Sequence, residues 1–247
     1  MGNINDHFFE GQYKEIWRSM IPGILTEREV DFMLPYFKLE AGQRVLDLMC
    51  GYGRHALALA RKGIHVTAVD NLEAYTREIK TTADAEGLPI EVIQADIVHY
   101  IPEGKYALAI CMGNSLNFFN RTDLQQILNR VSAALLPGGA LLINSWSIAE
   151  IVLPKFKADS EGKVGESGMK TKQEIFFMPT RIEAETAFTA ADGAIEVRKG
   201  IDYIYSINEM QEMLQSAGLT LDQVYSIPGR KPFTLGEPRA YLVAWKK

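Results

Sequence analysis

Three acidic residues stand at the ends of three predicted strands in the first half of the chain. Asp47 lies in the apolar stretch Val45–Met49, Asp70 ends a second apolar stretch, and Asp96 follows a third. Ligands of open α/β sheets bind outside the carboxyl ends of the strands, so the three carboxylates are predicted to surround one ligand. In that arrangement Asp70 is placed to accept hydrogen bonds from ribose hydroxyls, and Asp96 from an adenine amino group.

A glycine turn, Gly51-x-Gly53-x-x-Ala56, connects the first predicted strand to a helix over Arg54–Arg61. This spacing is typical of loops that cradle a dinucleotide pyrophosphate. Asp47 argues against a pyrophosphate, because two negative charges in a poorly solvated cleft repel each other. S-Adenosylmethionine carries no phosphate, and its ammonium and sulfonium groups are attracted by a carboxylate. The pattern therefore favours S-adenosylmethionine over a nicotinamide dinucleotide.

Near-continuous apolar strands alternate with helices from residue 44 onward, which predicts a parallel sheet covered by helices on both faces. The fold class is therefore α/β, with a doubly wound, mostly parallel, Rossmann-like sheet of seven strands. The predicted strands are Val45–Met49, His65–Asp70, Ile90–Ala95, Tyr106–Met112, Ala140–Ser145, Leu219–Ile227 and Ala240–Trp245.

The order of predicted strands and helices along the sequence indicates one domain, residues 1–247, in four parts. An N-terminal helical lid (1–40) precedes the cofactor-binding core (41–153), an inserted antiparallel lid follows (154–205), and residues 206–247 complete the sheet. The insertion is expected to select the acceptor and to leave cofactor binding largely unaffected, because it leaves the sheet at the carboxyl end of strand five.

Within the insertion, alternating apolar and polar residues predict strands with one apolar face, to which we assign Ile182, Phe188, Ile195 and Val197. Asp192-Gly193 predicts a tight hairpin turn, and the polar stretch 158–168 predicts a mobile loop.

Three Ser/Thr-x-x-Glu/Gln or related patterns predict where helices begin. They start at Thr26, Thr122 and Ser206, and the helix that begins at Thr122 is expected to run to Leu136.

The set VLDLMCGYGRHA, AVD at 68–70, QADI at 94–97 and LLPGGALLI at 135–143 resembles the class I S-adenosylmethionine-dependent methyltransferases. The resemblance spans about residues 41–145, and Tyr52 departs from it, because the family often has a small residue between the two glycines. It implies a methyltransferase that uses S-adenosyl-L-methionine. The predicted cofactor-binding residues are Tyr13, Trp17, Asp47, Cys50, Gly51, Gly53, Asp70, Asn71, Asp96, Ile97, Met112 and Gly113.

The stretch ICMGNSLNFF, residues 110–119, is similar to the fourth-strand segment of the glycine N-methyltransferase group. That similarity implies that Met112 and Gly113 border the cofactor and that Asn114 faces the acceptor. The predicted acceptor-site residues are Asn114, Asn117, Trp146, Tyr203 and Tyr205. Tyr13 and Trp17 share one face of an N-terminal helix, which is either part of the core or a lid on the cofactor.

The formal net charge of −5 provides no basic field for nucleic acid, and no apolar run approaches the length of a membrane span. No secretion signal is visible, and the two cysteines suit a reducing compartment, so a cytoplasmic location is expected. The histidines lack metal-ligand spacing, so no metal is expected. We expect a monomer or homodimer.

The predicted reaction is in-line transfer of a methyl group to the nitrogen or oxygen of a small-molecule acceptor. The sequence identifies no catalytic base. Two alternatives remain open: a nicotinamide-dependent oxidoreductase, which Asp47 and the lack of a hydride-site signature disfavour, and a non-catalytic S-adenosylmethionine-binding protein.

Overall fold

The structure is a computed structural model that describes residues 3–164, 167–190 and 193–247. Its strands are β1 (Arg44–Leu48), β2 (His65–Asp70), β3 (Ile90–Gln94), β4 (Tyr106–Cys111), β5 (Leu135–Ser145), β6 (Asp159–Val164), β7 (Ser167–Phe177), β8 (Thr180–Thr189), β9 (Ile195–Tyr203), β10 (Leu219–Ile227), β11 (Lys231–Pro232) and β12 (Ala240–Lys246). Its helices are α1 (Gln12–Met20), α2 (Gly23–Tyr36), α3 (Arg54–Ala60), α4 (Glu73–Glu86), α5 (Arg121–Ala134), α6 (Ala149–Val152) and α7 (Ile207–Ser216).

In the described ranges, eight strands form a central sheet in the order β11-β10-β12-β5-β4-β1-β2-β3. The strands from β3 to β5 run parallel, and β12 is antiparallel to both of its neighbours. This confirms the predicted doubly wound sheet, with the two-residue strand β11 added to the seven expected strands.

The two faces of the sheet carry two separate cores because side chains alternate along each strand. Leu46 and Leu48 of β1 belong to a cluster with apolar residues of α5 and α7. Val45 belongs to a cluster with α2, α3 and α4 on the other face. No helix in the described part of the chain is both long and apolar enough to cross a membrane.

The insertion is a second, antiparallel sheet in the order β6-β7-β8-β9. The polar stretch 158–168, expected as a mobile loop, contributes β6 and the start of β7, although residues 165–166 lie outside the described part. A strand at the edge of an antiparallel sheet can carry polar residues on both faces where neither face is buried. Its composition then resembles that of a loop. Asp192, in the predicted turn, also lies outside the described residues.

The prediction that Ile182, Phe188, Ile195 and Val197 share one face is wrong for the last two. Ile182 and Phe188 are buried, whereas Ile195 is 69% and Val197 52% exposed. The register pairs Phe188 with Glu196 and Ala187 with Val197, so the apolar residues of β9 point to the opposite face from those of β8.

Two of the three predicted helix starts are also wrong. Helix α2 begins at Gly23, so Thr26 lies within it, and α5 is capped by the side chain of Asn120, which accepts from the backbone of Thr122 and Asp123. Helix α5 ends at Ala134, since the chain enters β5 at Leu135. The capping box at Ser206 is confirmed.

Candidate functional site

The carboxyl ends of β1, β2 and β4 and the N-terminal segment (residues 3–20) line a cavity, the first cavity. Most of the predicted cofactor-binding residues line it: Trp17, Asp47, Cys50, Gly51, Asp70, Asn71, Asp96, Ile97, Met112 and Gly113. Tyr52, the bulky residue between the two glycines, also lines the cavity. The sequence did not single out Arg54 for this wall, nor Asn5 and Phe9 from the N-terminal segment.

Asp47 supplies an incompletely paired carboxylate to this wall. The residue is 1% exposed, and no described residue donates a hydrogen bond to its Oδ2. Burial raises the pKa of Asp47 to about 7, against the opposing effect of the nearby Arg54 charge. A buried charge without a partner is costly, so this oxygen fits a ligand that brings a cationic hydrogen-bond donor.

Asp70 connects the glycine turn to the end of β2. Its Oδ2 accepts from Gly51 N at 2.8 Å, and its Oδ1 accepts from Leu72 N at 3.0 Å. Burial raises its pKa although these backbone N–H groups oppose the shift. The carboxylate is therefore fixed in direction, and each oxygen keeps a lone pair for a ligand hydroxyl.

Asp96 occupies the outer end of the same wall. It accepts from Val98 N at 2.9 Å and lies 2.8 Å from His99 Nδ1, and its side chain is 59% exposed. Asn71 donates to Asp6 Oδ1 at 2.9 Å, which connects this end of the cavity to the N-terminal segment.

Gly53, although predicted to bind the cofactor, does not line the cavity. It precedes α3 with a φ of 77°, and a Cβ added there would lie 2.5 Å from Ile79 Cγ1, in the core. Its place is therefore structural: it allows α3 to pack closely against α4.

We predict that Gly53→Ala lowers the free energy of unfolding by about 1–3 kcal/mol, the usual cost of overpacking a core. Gly51→Ala is the matched control, because Gly51 also has a positive φ but no heavy atom lies within 4 Å of its added Cβ. Urea unfolding of Gly53→Ala, Ile79→Ala and the double variant checks the cause. If the free energies of unfolding lost in Gly53→Ala and in Ile79→Ala simply add in the double variant, then a clash with Ile79 is not the cause of the Gly53→Ala destabilisation.

The N-terminal segment covers the first cavity and is held by polar contacts to the inserted sheet. Asn5 Nδ2 donates to Ile201 O at 2.9 Å, and Ile201 N donates back to Asn5 Oδ1 at 2.9 Å. Asn3 Nδ2 donates to Phe118 O at 2.9 Å. Phe9 and Trp17 of the same segment line the cavity.

A second cavity lies beside the first, between the N-terminal segment, the end of β5 and the inserted sheet. Five residues line both cavities: Asn5, Phe9, Trp17, Gly113 and Phe118. Asn114 and Trp146, two of the predicted acceptor-site residues, line the second cavity, and so does Tyr13, which was predicted to bind the cofactor.

The other predicted acceptor-site residues, Asn117, Tyr203 and Tyr205, line neither cavity. Asn117 donates to the carbonyls of Ser147 and Tyr203 and accepts from Ser145 Oγ. Tyr205 is buried and its hydroxyl donates to Phe119 O, and Tyr203 packs against the core. For Tyr203, the alternation of side chains along β9 explains why it does not line the second cavity. It points to the face opposite that of its neighbour Asp202.

Asp202 is a candidate site residue that the sequence did not single out. Its Oδ2 accepts from Ser147 Oγ at 2.6 Å and from Asn114 Nδ2 at 3.4 Å. Burial raises its pKa to about 6, and the two donors oppose that shift. A single Asp in an alternating strand carries no motif, so the register of β9 was the only signal that could have found it.

Beneath the first cavity, Glu29 of α2 joins three elements. It accepts from Arg54 Nη1 at 2.6 Å, from His55 Nε2 at 2.9 Å and from the Tyr241 hydroxyl at 2.7 Å. Thr26 Oγ1 also accepts from Arg54, at 2.9 Å. Thr26 and Glu29, whose spacing predicted a helix cap, therefore hold Arg54, a residue of the first cavity wall, in place.

Comparison with solved structures shows the fold. An S-adenosylmethionine-dependent methyltransferase from Clostridium acetobutylicum aligns with a TM-score of 0.82 over 95% of this chain and 96% of that one, at 18% identity. S-Adenosylmethionine-bound CalS10, an amino pentose methyltransferase from Micromonospora echinaspora, aligns with a TM-score of 0.73 over 96% of this chain and 98% of that one, at 17% identity.

Residues 45–139 match the family model described as a methyltransferase domain. This part of the chain is similar to methyltransferase domains, and the fold of the chain is that of the solved S-adenosylmethionine-dependent methyltransferases. The match covers β1 to the start of β5, the region that supplies Asp47, Asp70 and Asp96 to the first cavity.

Among curated relatives, the carboxy-S-adenosyl-L-methionine synthase of Photorhabdus laumondii is 29% identical over 154 residues, which are 58% of this chain and 60% of that protein. The chain thus spans about three fifths of the length of the curated relatives that it matches.

Proposed function

We propose that this chain is a methyltransferase that binds S-adenosylmethionine in the first cavity and a small-molecule acceptor in the second. The observation that carries the proposal is the shared wall of the two cavities, formed by Asn5, Phe9, Trp17, Gly113 and Phe118. Direct methyl transfer requires that donor and acceptor meet in line with water excluded. Two adjoining cavities under one N-terminal segment meet that requirement.

The charges of the first cavity support this cofactor. In our proposal Asp47 receives the ammonium group of S-adenosylmethionine, and Arg54, which lines the same wall, receives its carboxylate. Asp70 accepts from the ribose hydroxyls, and Asp96 with Ile97 borders the adenine. When bound, the cofactor supplies a methyl group on a cationic sulfur. Met112, Gly113 and Trp17 then border the sulfur, and the N-terminal segment keeps water away from it.

The substrate class is proposed to be small molecules because the second cavity is closed on several sides by the N-terminal segment and the inserted sheet. CalS10, whose fold this chain shares, is an amino pentose methyltransferase by its description. A screen of small amines, alcohols and thiols with S-adenosylmethionine, followed by mass spectrometry, tests the proposal. A product heavier by one methylene group supports it, whereas S-adenosylmethionine binding without transfer to any acceptor supports a non-catalytic binding protein.

We predict that Asp47→Asn weakens S-adenosylmethionine binding about tenfold to a hundredfold, the effect of losing a hydrogen bond to a charged group. The parent protein is expected to bind S-adenosylmethionine and not NAD, and the variant is expected to gain no affinity for NAD. Calorimetry with both ligands measures this. Asp84→Asn removes an equal charge from an exposed pair with Lys80 and should change neither affinity.

The same carboxylate gives the binding a pH dependence. A pKa of about 7 in the free protein means that Asp47 is partly protonated at neutral pH, and a cationic group binds its ionised form. Affinity should therefore rise between about pH 6 and pH 8, with release of protons on binding. A profile that is identical in Asp47→Asn would contradict the role of this residue.

A further inference from the structure

Asp202 stands in the second cavity with one carboxylate oxygen open to a ligand. Both of its hydrogen bonds, from Ser147 Oγ and Asn114 Nδ2, reach Oδ2. No described residue donates a hydrogen bond to Oδ1. Ser147 is itself buried and Asn114 is 3% exposed, so these two donors fix the direction of the carboxylate.

The charges around Asp202 leave it without a cationic partner. Lys155 is the one cation among the described residues that line this cavity, and its exposed Nζ donates to Gly236 O at 2.8 Å. Tyr13 also lines the cavity, and burial together with the charge of Asp202 raises its pKa, so its hydroxyl stays neutral. Because Lys155 is engaged with Gly236 and Tyr13 is neutral, an ionised Asp202 has no cationic partner among the described residues that line the cavity.

Aromatic rings form much of the remaining wall. The ring centroids of Trp17 and Trp146 lie 5.7 Å apart, and those of Tyr13 and Trp17 lie 6.3 Å apart in a stacked arrangement. Aromatic faces attract cations, and the attraction is strongest where water is excluded. A carboxylate among such rings fits an ammonium group better than a neutral hydroxyl, and it repels an anionic acceptor.

We propose that Asp202 binds the ammonium group of an amine acceptor and takes one proton from it. This inference rests on the function proposed above and narrows its substrate class to amines. Loss of that proton to Oδ1 frees the nitrogen lone pair, which forms the new N–C bond to the methyl group. The methyl–sulfur bond breaks with its electron pair left on sulfur, so the donor leaves as a neutral thioether. The product is the methylated ammonium ion, and Asp202 returns its proton to solvent.

Paired ligands that differ in the nitrogen test this inference. Benzylamine with benzyl alcohol, and glucosamine with glucose, are titrated by calorimetry, with tryptophan fluorescence as a second readout because Trp17 and Trp146 line the cavity. We expect at least one amine to bind about tenfold or more tighter than its alcohol. Asp202→Asn should abolish this preference and leave S-adenosylmethionine affinity intact. Glu185→Gln, on the outer face of the same sheet, should retain it.

The pH dependence distinguishes binding by the carboxylate from a structural effect of the substitution. Asp202 has a pKa of about 6, so the amine preference should be present at about pH 8 and be lost as the pH falls through about 6. Ser147→Ala removes a donor that lowers this pKa, and should shift the loss to higher pH. If Asp202→Asn does not fold, the pH profiles of amine preference in the wild type and in Ser147→Ala still show whether the Asp202 carboxylate binds the amine.

Equal affinities for amine and alcohol in the wild type, or an unchanged preference in folded Asp202→Asn, would overturn the amine site. Methylation of hydroxyl compounds alone would also overturn it while leaving the proposed methyltransferase intact. Failure of the wild type to bind S-adenosylmethionine would instead overturn the proposed function, and the paired titrations would still show whether the second cavity selects amines.

Discussion

Replacement of Glu29 by alanine should lower the free energy of unfolding by about 3–5 kcal/mol, the cost of removing one partner from a buried charge pair. Glu29 is 2% exposed, and its carboxylate accepts hydrogen bonds from Arg54, His55 and the Tyr241 hydroxyl. Alanine would leave all three donors in the interior without this acceptor. These partners belong to α3 and β12, so the variant separates α2 from two elements at once.

Chemical unfolding at neutral pH measures this effect. Glu29→Gln is the conservative variant, because it keeps the size and one oxygen acceptor, and it should lose less stability than Glu29→Ala. Glu86→Ala is the matched surface control, since it breaks an exposed ion pair with Arg61 and should change stability little. A Glu29→Ala protein as stable as the surface control would refute the role of the network.

The network also predicts the direction of acid unfolding. Burial alone would raise the pKa of Glu29, but the hydrogen bond and charge of His55 and the charge of Arg54 hold it at about 2, below its ordinary 4.5. Its contribution is therefore present above about pH 4.5 and is lost as the pH falls toward 2. Burial and the charge of Arg54 lower the pKa of His55 below 6.5, so stability begins to fall below that pH as well. Glu29→Gln should remove the lower of these two steps.

Glu29 also shows how far the sequence could lead. Thr26-x-x-Glu29 fits a capping box, but the same spacing places two side chains on one face of a helix. Composition alone does not separate these cases. The helix begins three residues earlier, at Gly23, so both side chains are free to bind Arg54.

The lining of the first cavity was more predictable than the lining of the second for a physical reason. Asp47, Asp70 and Asp96 come from consecutive parallel strands, whose carboxyl ends must meet at one edge of the sheet. Asp202 comes from an antiparallel insertion, where one residue of register decides which face a side chain joins. The same uncertainty placed Ile195 and Val197 on the wrong face. It also led to the choice of Tyr203, which lines neither cavity, over its neighbour Asp202, which lines the second.

The inserted sheet gives the last prediction, and here the structure changes the expectation. From the sequence, replacement of residues 158–200 by a glycine-serine linker should abolish acceptor turnover and leave cofactor affinity within about tenfold. The structure connects the two cavities through the N-terminal segment. Asn5 bonds to Ile201, the Tyr13 ring lies 5.2 Å from that of Phe188, and a Cβ at Gly200 would lie 3.1 Å from Phe8.

We therefore expect the linker variant to lose methyl transfer and to bind S-adenosylmethionine more than about tenfold weaker, because the segment that carries Asn5, Phe9 and Trp17 loses its support. Circular dichroism checks that the central sheet is retained, and calorimetry measures the affinity. Asn5→Ala tests the connection without a deletion and should weaken cofactor binding in the same direction. Asn208→Ala is its control, because the Asn208 side chain donates a hydrogen bond to Glu212 at the exposed surface. If both the linker variant and Asn5→Ala keep full cofactor affinity, the N-terminal segment holds its position without the inserted sheet. If the linker variant keeps its turnover with the same acceptor preference, the inserted sheet is not a lid.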